Sequence, residues 1–385
     1  MLPPRLKVNM RNRLLRRLVV VGGLAALVTG CNTVGYYRQA ITGQCEILAK
    51  RDPITEVIAR PETRPAVREK LKLVLDLRTF AEQELHLKTD GYYASYADLG
   101  RKYVVWNVYA APQFSLEPRT WWYPIVGSLK YRGYFSEHDA RQCADQLAKE
   151  GYDVYVGGVE AYSTLGFFKD PVLNTFLHHT PPDLAETLFH ELAHQRVFAK
   201  GDTDFNEAFA TAVGEEGVRR WLAARDDARS RADYEVELRR TDEFVALVMS
   251  ARARLKQVYG EESAHAPHTE EKPGSEPLVA AKRTRKAEVI ASLRADYEQL
   301  KARWGGYAGY DDWFNRPINN ARLNTISTYY TLVPAFKRLL ALHGGDLPKF
   351  YADSKELAKM TRERRKERIA ALMKSDTRNV ASRAP

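Results

Sequence analysis

Cysteine is scarce, with three in 385 residues, and none stands in a spacing that ligates zinc. Cys45 and Cys143 can pair in an oxidising compartment or be buried singly, and the sequence leaves both open. No internal repeat is present, which excludes a solenoid, and no glycine-rich loop of the phosphate-cradling kind occurs. Long apolar runs are missing too: the run Leu18 to Val28 near the start is too short to span a bilayer comfortably. Acids are absent from the first 30 residues, which carry Arg5, Lys7, Arg11, Arg13, Arg16 and Arg17.

That basic opening followed by a short apolar run reads as an export signal over residues 1–30, outside the fold proper. It ends in Leu27-Val28-Thr29-Gly30-Cys31, which resembles the cleavage box of bacterial lipoproteins and makes Cys31 the expected site of lipidation. Asn32 is not the aspartate that tends to retain such proteins at the inner membrane, so the periplasmic face of the outer membrane is the expected location, with the N-terminal lipid as membrane contact. The signal holds six of the net +10 charges, and residues 354–385 hold ten basic and four acidic side chains. The body between is near neutral. The pI of about 9.3 belongs to the two ends and gives no argument for a nucleic-acid partner. The stretch TRERRKERIAALMK in the tail reads as a solvated helix face.

Hydrophobic content of 44% and charged content of 28% are those of a globular protein. The expected fold class is α+β, predominantly α. After the signal, residues 31–65 form an anchor segment, with helical spacing over 36–58, and an amphipathic helix opens the mixed α/β region 66–182. Within that region KYVVWNVYAAPQFSLEP and TWWYPIVGSLKYRGYF are β-branched, aromatic and broken by Pro and Gly, so they read as strands. A helix over 137–147 and the strand YDVYVGGVEAYSTLG complete a small strand–helix–strand unit. Metal-binding helices fill 183–260. A polar, Pro-rich flexible loop covers 261–280, its His265 and His268 read as solvent-exposed. Helices occupy 281–350, and a basic tail runs over 351–385. The turn-rich GGYAGYDDWFNRP, Gly305 to Pro317, is placed at a pocket edge. Expected helices are Asp183–Ala199, Asp204–Arg225, Ala232–Val258, Ala281–Trp304, Asn320–Leu342 and Leu347–Ser375.

The chemistry concentrates in FHELAHQRVFAKGDTDFNEAFA, Phe189 to Ala210. Asp183 and Glu186 before an apolar stripe mark a helix start. On that helix His190 and His194 lie on one face a turn apart and present two imidazoles to one point. Glu191 beside the first can reach a water without ligating, as the general base of the H-E-x-x-H arrangement. One Zn2+ ion is the expected cofactor, and a catalytic zinc needs one further protein ligand. Glu207, on a second helix after the break at 200–203, is the first candidate; Glu215 and Glu216 stand in reserve. Asp204-x-x-Glu207 also reads as a capping box, which would take Glu207 away from the metal. Zinc lowers the pKa of a water and polarises a carbonyl, so a peptide or protein substrate is implied. Candidate oxyanion donors are Tyr329 and Tyr330, and also Tyr162, Tyr131 and Arg132. His178-His179 reads as loop.

Glutamate as third ligand is the gluzincin pattern, and Asn206-Glu207-Ala208 is similar to the ligand-bearing Asn-Glu-Ala of thermolysin-like enzymes, although only 12 residues separate His194 from Glu207. More of the chain resembles a family of bacterial envelope lipoproteins described as predicted zinc aminopeptidases. The likeness rests on YYRQAITGQ, YVVWNVYAAPQFSLEP, DVYVGGVEAYSTLG, DPVLNTFL, FHELAHQ and FNEAFATAVGEEG. It implies zinc and peptide hydrolysis. Gly157-Gly158-Val159-Glu160-Ala161 also looks like the strand of large zinc aminopeptidases whose glutamate holds the substrate's free amine. That makes Glu160, with Tyr162, a candidate substrate-binding residue; the alternative is an edge strand that pairs with substrate backbone. An envelope endopeptidase or a non-catalytic zinc-stabilised assembly lipoprotein are the other readings.

Overall fold

The structure, a computed structural model, describes residues 34–124, 126–164, 168–260 and 276–381, the last seven by backbone alone. The export signal, Cys31, His265 and His268 lie outside the described residues. Helix α1 covers residues 34–49. It is followed by β1 (Arg51–Pro53), α2 (Ile54–Ala59), α3 (Pro65–Gln83), β2 (Ser95–Ala97), β3 (Val105–Pro112), β4 (Trp121–Tyr123), β5 (Gly127–Leu129), β6 (Arg132–Tyr134), α4 (Glu137–Lys149), β7 (Tyr152–Val159), β8 (Val172–Leu173) and α5 (Asn174–Leu177). The helical spacing over 36–58 is thus interrupted. Pro53 has no N–H for a helix, and Arg51–Pro53 instead pairs antiparallel with β2, which pairs in parallel with β8.

The strand–helix–strand unit is β6-α4-β7. Its strands do not touch: β3 lies between them, antiparallel to both, so the sheet order is β6-β3-β7. The two faces of β3 alternate, as the pleat requires. Val108 and Ala110 bury against Ala140, Ala144 and Leu147 of α4. Asn107 and Tyr109 bury on the opposite face, toward the helices that follow.

Those helices are α6 (Pro181–Ala193), α7 (Thr203–Ala224), α8 (Ala228–Tyr259), α9 (Glu276–Arg303), α10 (Asp311–Asn315), α11 (Asn320–Tyr330), α12 (Val333–Leu342), α13 (Leu347–Lys359) and α14 (Arg362–Ala381). The fold is α+β and mainly helical, with small sheets. Two expected long helices are each divided. Pro334 stands in the first turn of α12, where its missing N–H costs nothing but its ring would clash with a continuing helix; the 320–342 stretch therefore breaks at Thr331–Leu332. The 347–375 stretch breaks at Met360–Thr361, where Arg365 Nη1 donates to the carbonyls of Ala358 and Met360, both at 3.0 Å. The tail is not simply a solvated face: Ile369 and Leu372 bury in the main core, Arg365 is 4% exposed, and the boundary at 351 falls inside α13. Helix α9 begins at Glu276, so 276–280 belongs to it and not to a loop. The 305–317 segment lines no pocket described below; it packs between α8 and α9, where Tyr297 stacks on Phe314 with ring centroids 3.8 Å apart. Cys45 and Cys143 are both free.

Helix α11 runs through the middle. Asn319 caps it and donates through Nδ2 to Val154 O at 2.8 Å. Fully buried Asn320 donates through Nδ2 to the carbonyls of Pro112, Gln113 and Ser115 at 2.9, 3.0 and 3.1 Å. These bonds satisfy carbonyls at the end of β3 that would otherwise be costly to bury, and they fix the register at which the far end of α11 meets the site. No described helix is long and apolar enough to cross a membrane.

Candidate metal centre

The N-cap of α6 is Thr180, whose hydroxyl accepts from Asp183 N at 3.4 Å and donates to Asp183 Oδ2 at 2.6 Å. The helix starts there, earlier than Asp183, and Glu186 falls in its second turn, where its Oε2 accepts from Tyr234 at 2.7 Å. The helix ends at His194, its C-cap, well before Ala199, because the chain tightens into i→i−3 bonds at Gln195 and Arg196. Asp202 caps α7 by accepting from Phe205 N at 3.3 Å. Asp204 instead holds Lys130 at 2.6 Å. Glu207 therefore lies beyond the capping positions and is free of the capping-box role. Asn206 pins the intervening loop: its Oδ1 accepts from Ala199 N at 2.7 Å and its Nδ2 donates to Ala199 O at 2.9 Å.

With both helices so fixed, His190, His194 and Glu207 converge. The two Nε2 atoms lie 3.2 Å apart, and Glu207 Oε2 is 3.4 Å from that of His190 and 3.8 Å from that of His194. Ligands about 2.0–2.1 Å from a tetrahedral ion are separated by roughly 3.3 Å, so the three donor atoms have the spacing of three corners of such a site. They form one of two groups among the described residues that could hold a metal ion. The chemistry of the donors fits as well. Buried Glu207 faces only the two histidines among the groups that bear on it, and buried Glu191 forms no ion pair with any described residue, so a divalent cation would offset carboxylate charge at the site. His194 Nδ1 is buried without a partner, short of the outer hydrogen bond that a ligating imidazole usually has.

Electrostatics separate the carboxylates. Burial pushes Glu207 up, but the His190 hydrogen bond and the charges of both histidines outweigh it, and the group sits below its ordinary value. Burial drives Glu191 up to about 7, with His190 opposing and Glu207 and Asp170 adding. Burial brings His194 down to about 4, while in His190 the same burial is outweighed by Glu207, Glu191 and Glu186.

Two cavities meet at His190 and Glu191. One, of about 670 Å3, is mainly apolar. Its wall includes Val105, Phe135, Val159, Tyr131, Tyr162 and Tyr329, with His194 and Glu207 at its base. The other, of about 350 Å3, is acidic, walled by Asp183, Glu186, Glu215 and Glu237 with Tyr234 and Tyr330. The candidate tyrosines are thus divided. Tyr329 belongs to the metal side, where the Glu207 charge and then burial lift its pKa well above normal. Tyr330 faces the acidic chamber, since successive helical residues point about 100° apart. Tyr131 is also on the metal side, its pKa raised by burial and by Glu207. Arg132 is not: it lies 4.0 Å over the Tyr36 ring on the other side of β6. The reserve ligands are engaged elsewhere, Glu215 with Lys337 at 2.6 Å and Glu216 with Arg220 at 2.8 Å.

Glu160 pairs with His179 at 2.7 Å and lines neither cavity. His178 and His179 lie in the turn between α5 and α6; with Glu160 they form the second group of metal-compatible spacing, and His179 Nδ1 lies 3.5 Å from Thr187 Oγ1 on α6. Three contributors escaped the sequence reading. Tyr109, whose alternate position on β3 was the available signal, accepts from Asn107 Nδ2 at 3.4 Å, and burial with the Glu207 charge raises its pKa. Asp170, 2% exposed, bears on Glu191 from a loop. Asn206 had its signal in standing next to Glu207.

No curated protein and no solved structure matches the chain. The sequence family described as "Putative aminopeptidase" matches residues 35–369, nearly all of the described fold. The chain belongs to this aminopeptidase family.

Proposed function

We propose that this protein is a zinc-dependent aminopeptidase held by lipid on Cys31 at the periplasmic face of the bacterial outer membrane. The observation that carries the reading is the convergence of His190, His194 and Glu207 within 3.2–3.8 Å, with the carboxylate of Glu191 buried alongside. Zinc in that tripod would supply Lewis acidity to the scissile carbonyl and to the attacking water. Glu191, the buried carboxylate with no ion-pair partner, takes the proton of that water and returns it to the leaving amine. Tyr329 is the donor for the oxyanion, because it enters the cavity that His190, His194 and Glu207 line, from the end of α11. The 670 Å3 cavity, with Tyr162 in its wall, receives substrate side chains. Lipid anchoring is supported by the sequence alone, through the Leu27–Cys31 box.

One observation favours a second reading, an endopeptidase: Glu160, the expected holder of the free amine, is engaged by His179. Zinc analysis of the mature protein, with hydrolysis of matched free-amine and N-blocked peptides, tests both. An aminopeptidase cleaves only the free-amine series; cleavage of blocked peptides rejects that assignment. Zinc without hydrolysis of either series rejects a peptidase in favour of a structural metal.

A further inference from the structure

Nine large apolar side chains are exposed among the described residues, and three of them share helix α1. Val34, Tyr37 and Ile41 stand out on α1, with Val34 67% and Ile41 64% exposed; Trp122, 68% exposed, lies on β4, and Phe168 on the loop after β7. The α1 residues are spaced i, i+3, i+7 and so form one stripe on one helix face. Tyr36 reaches from α1 to Tyr123, their hydroxyls 3.2 Å apart, which sets α1 beside β4, the strand that carries Trp122. Tyr37 and Phe168 also line the 670 Å3 cavity. Two of the exposed apolar residues therefore belong both to the surface and to the wall of that cavity.

The chain's own length says what meets this surface. Cys31 precedes Val34 by three residues, which span at most about 11 Å even when fully extended. Acyl chains on Cys31 would hold the start of α1, and the stripe it begins, within that distance of the bilayer. Tryptophan and tyrosine are also the side chains that settle at a membrane interface, apolar body in and polar tip out.

We propose that Val34, Tyr37, Ile41, Trp122 and Phe168 form a membrane-docking surface that lays the mouth of the catalytic cavity on the bilayer, so that the substrates are peptides already lying in the lipid interface. The orientation rests on the Cys31 anchor of the proposed function; the contact itself does not need it, which makes the two separable.

The test uses the mature chain with Cys31→Ser, which cannot be acylated, mixed with phosphatidylethanolamine–phosphatidylglycerol vesicles. Expected are co-sedimentation, a blue shift of tryptophan emission and quenching by brominated acyl chains. Trp122→Phe should remove the shift and keep the binding. Val34→Ser/Ile41→Ser/Trp122→Ser, none of them in the cavity wall, should lower the bound fraction roughly tenfold while hydrolysis of a soluble peptide is unchanged. Binding that the triple substitution leaves intact overturns the proposal, as does absence of binding. So does concentration-dependent self-association without lipid that the triple substitution abolishes, since the surface would then join two copies of the chain. Loss of peptide hydrolysis in every sample would count against the peptidase reading and leave vesicle binding to be judged alone.

Discussion

Arg365, on the C-terminal helix, donates through Nε to Asp202 Oδ2 at 2.8 Å, and Asp202 is the residue that caps the helix carrying Glu207. A side chain from the basic tail thus helps fix the start of the ligand helix. Both partners are largely buried, so removing one leaves the other charge uncompensated, a loss of about 3 kcal/mol or more. Arg365→Ala should lower the midpoint of thermal unfolding and weaken metal binding. Arg365→Lys should recover little, because one ammonium cannot serve Asp202 and two carbonyls together. Unchanged metal affinity in Arg365→Ala would detach the tail from the site.

Ligand and base should separate cleanly on substitution. Glu207→Ala and His190→Ala remove a donor each and should reduce bound zinc from one ion per chain to little or none, measured by elemental analysis after dialysis. Glu191→Gln should retain the ion and lose about 10²–10⁴ in kcat. Equal zinc loss in Glu191→Gln would make it a ligand instead.

The two adjacent tyrosines should behave differently. Tyr329→Phe is expected to lower kcat about 10²–10³-fold with little change in KM, the signature of a contact made in the transition state. Tyr330→Phe, facing the acidic chamber, should leave kcat within a few-fold. The reverse order of effects would exchange their roles.

Close packing of α6 on α7 depends on Gly217. A Cβ built there would lie 2.5 Å from Phe189 Cδ2 and 2.9 Å from Leu85 Cδ1, and Phe189 is the residue before His190. Gly217→Ala should cost about 1–3 kcal/mol, read by denaturant unfolding, and shift His190 enough to weaken metal binding. A neutral result would mean that the helices have room to part.

Glu186 gives a pH dependence of stability. Burial raises its folded pKa from 4.5 to about 7, against the Tyr234 hydrogen bond. The folded state then binds a proton that the unfolded chain releases, so its contribution is complete below about pH 4.5 and is lost as pH rises through about 7. The decline amounts to as much as about 3 kcal/mol before allowance for residual solvent contact. Glu186→Gln should make the stability profile between pH 5 and 8 less steep, leaving the part due to Glu191, which is raised to about 7 as well, measured by urea unfolding at each pH. A profile as steep as the parent's would place the titrating group elsewhere.

Much of the site was legible because its signals are local. Four-residue spacing puts His190 and His194 on one face whatever the rest of the fold does. Pleat alternation likewise marks β3 and β7 as strands with two distinct faces. Less legible were features that depend on a competing partner. Asp204 reads as a cap, but Lys130 engages it and Asp202 takes the role. Arg132 reads as an oxyanion donor, but the face of β6 it occupies is set by pairing with β3. Residues 347–375 read as one helix, and the break at Met360 depends on Arg365 reaching back to its carbonyls.

By itself the sequence determined the groups on offer: two imidazoles and a carboxylate on one helix, a second carboxylate on the next, and a mainly helical chain behind a small strand unit. Period and propensity act over a few residues, and a few residues suffice for that. Only the tertiary structure decided that Glu207 and not Glu215 meets the two histidines, that Tyr329 and Tyr330 line different chambers, and that Glu160 is engaged by His179. Each of those choices depends on which side chain arrives from tens or hundreds of residues away to take up a charge or a hydrogen bond, and no local pattern encodes that meeting.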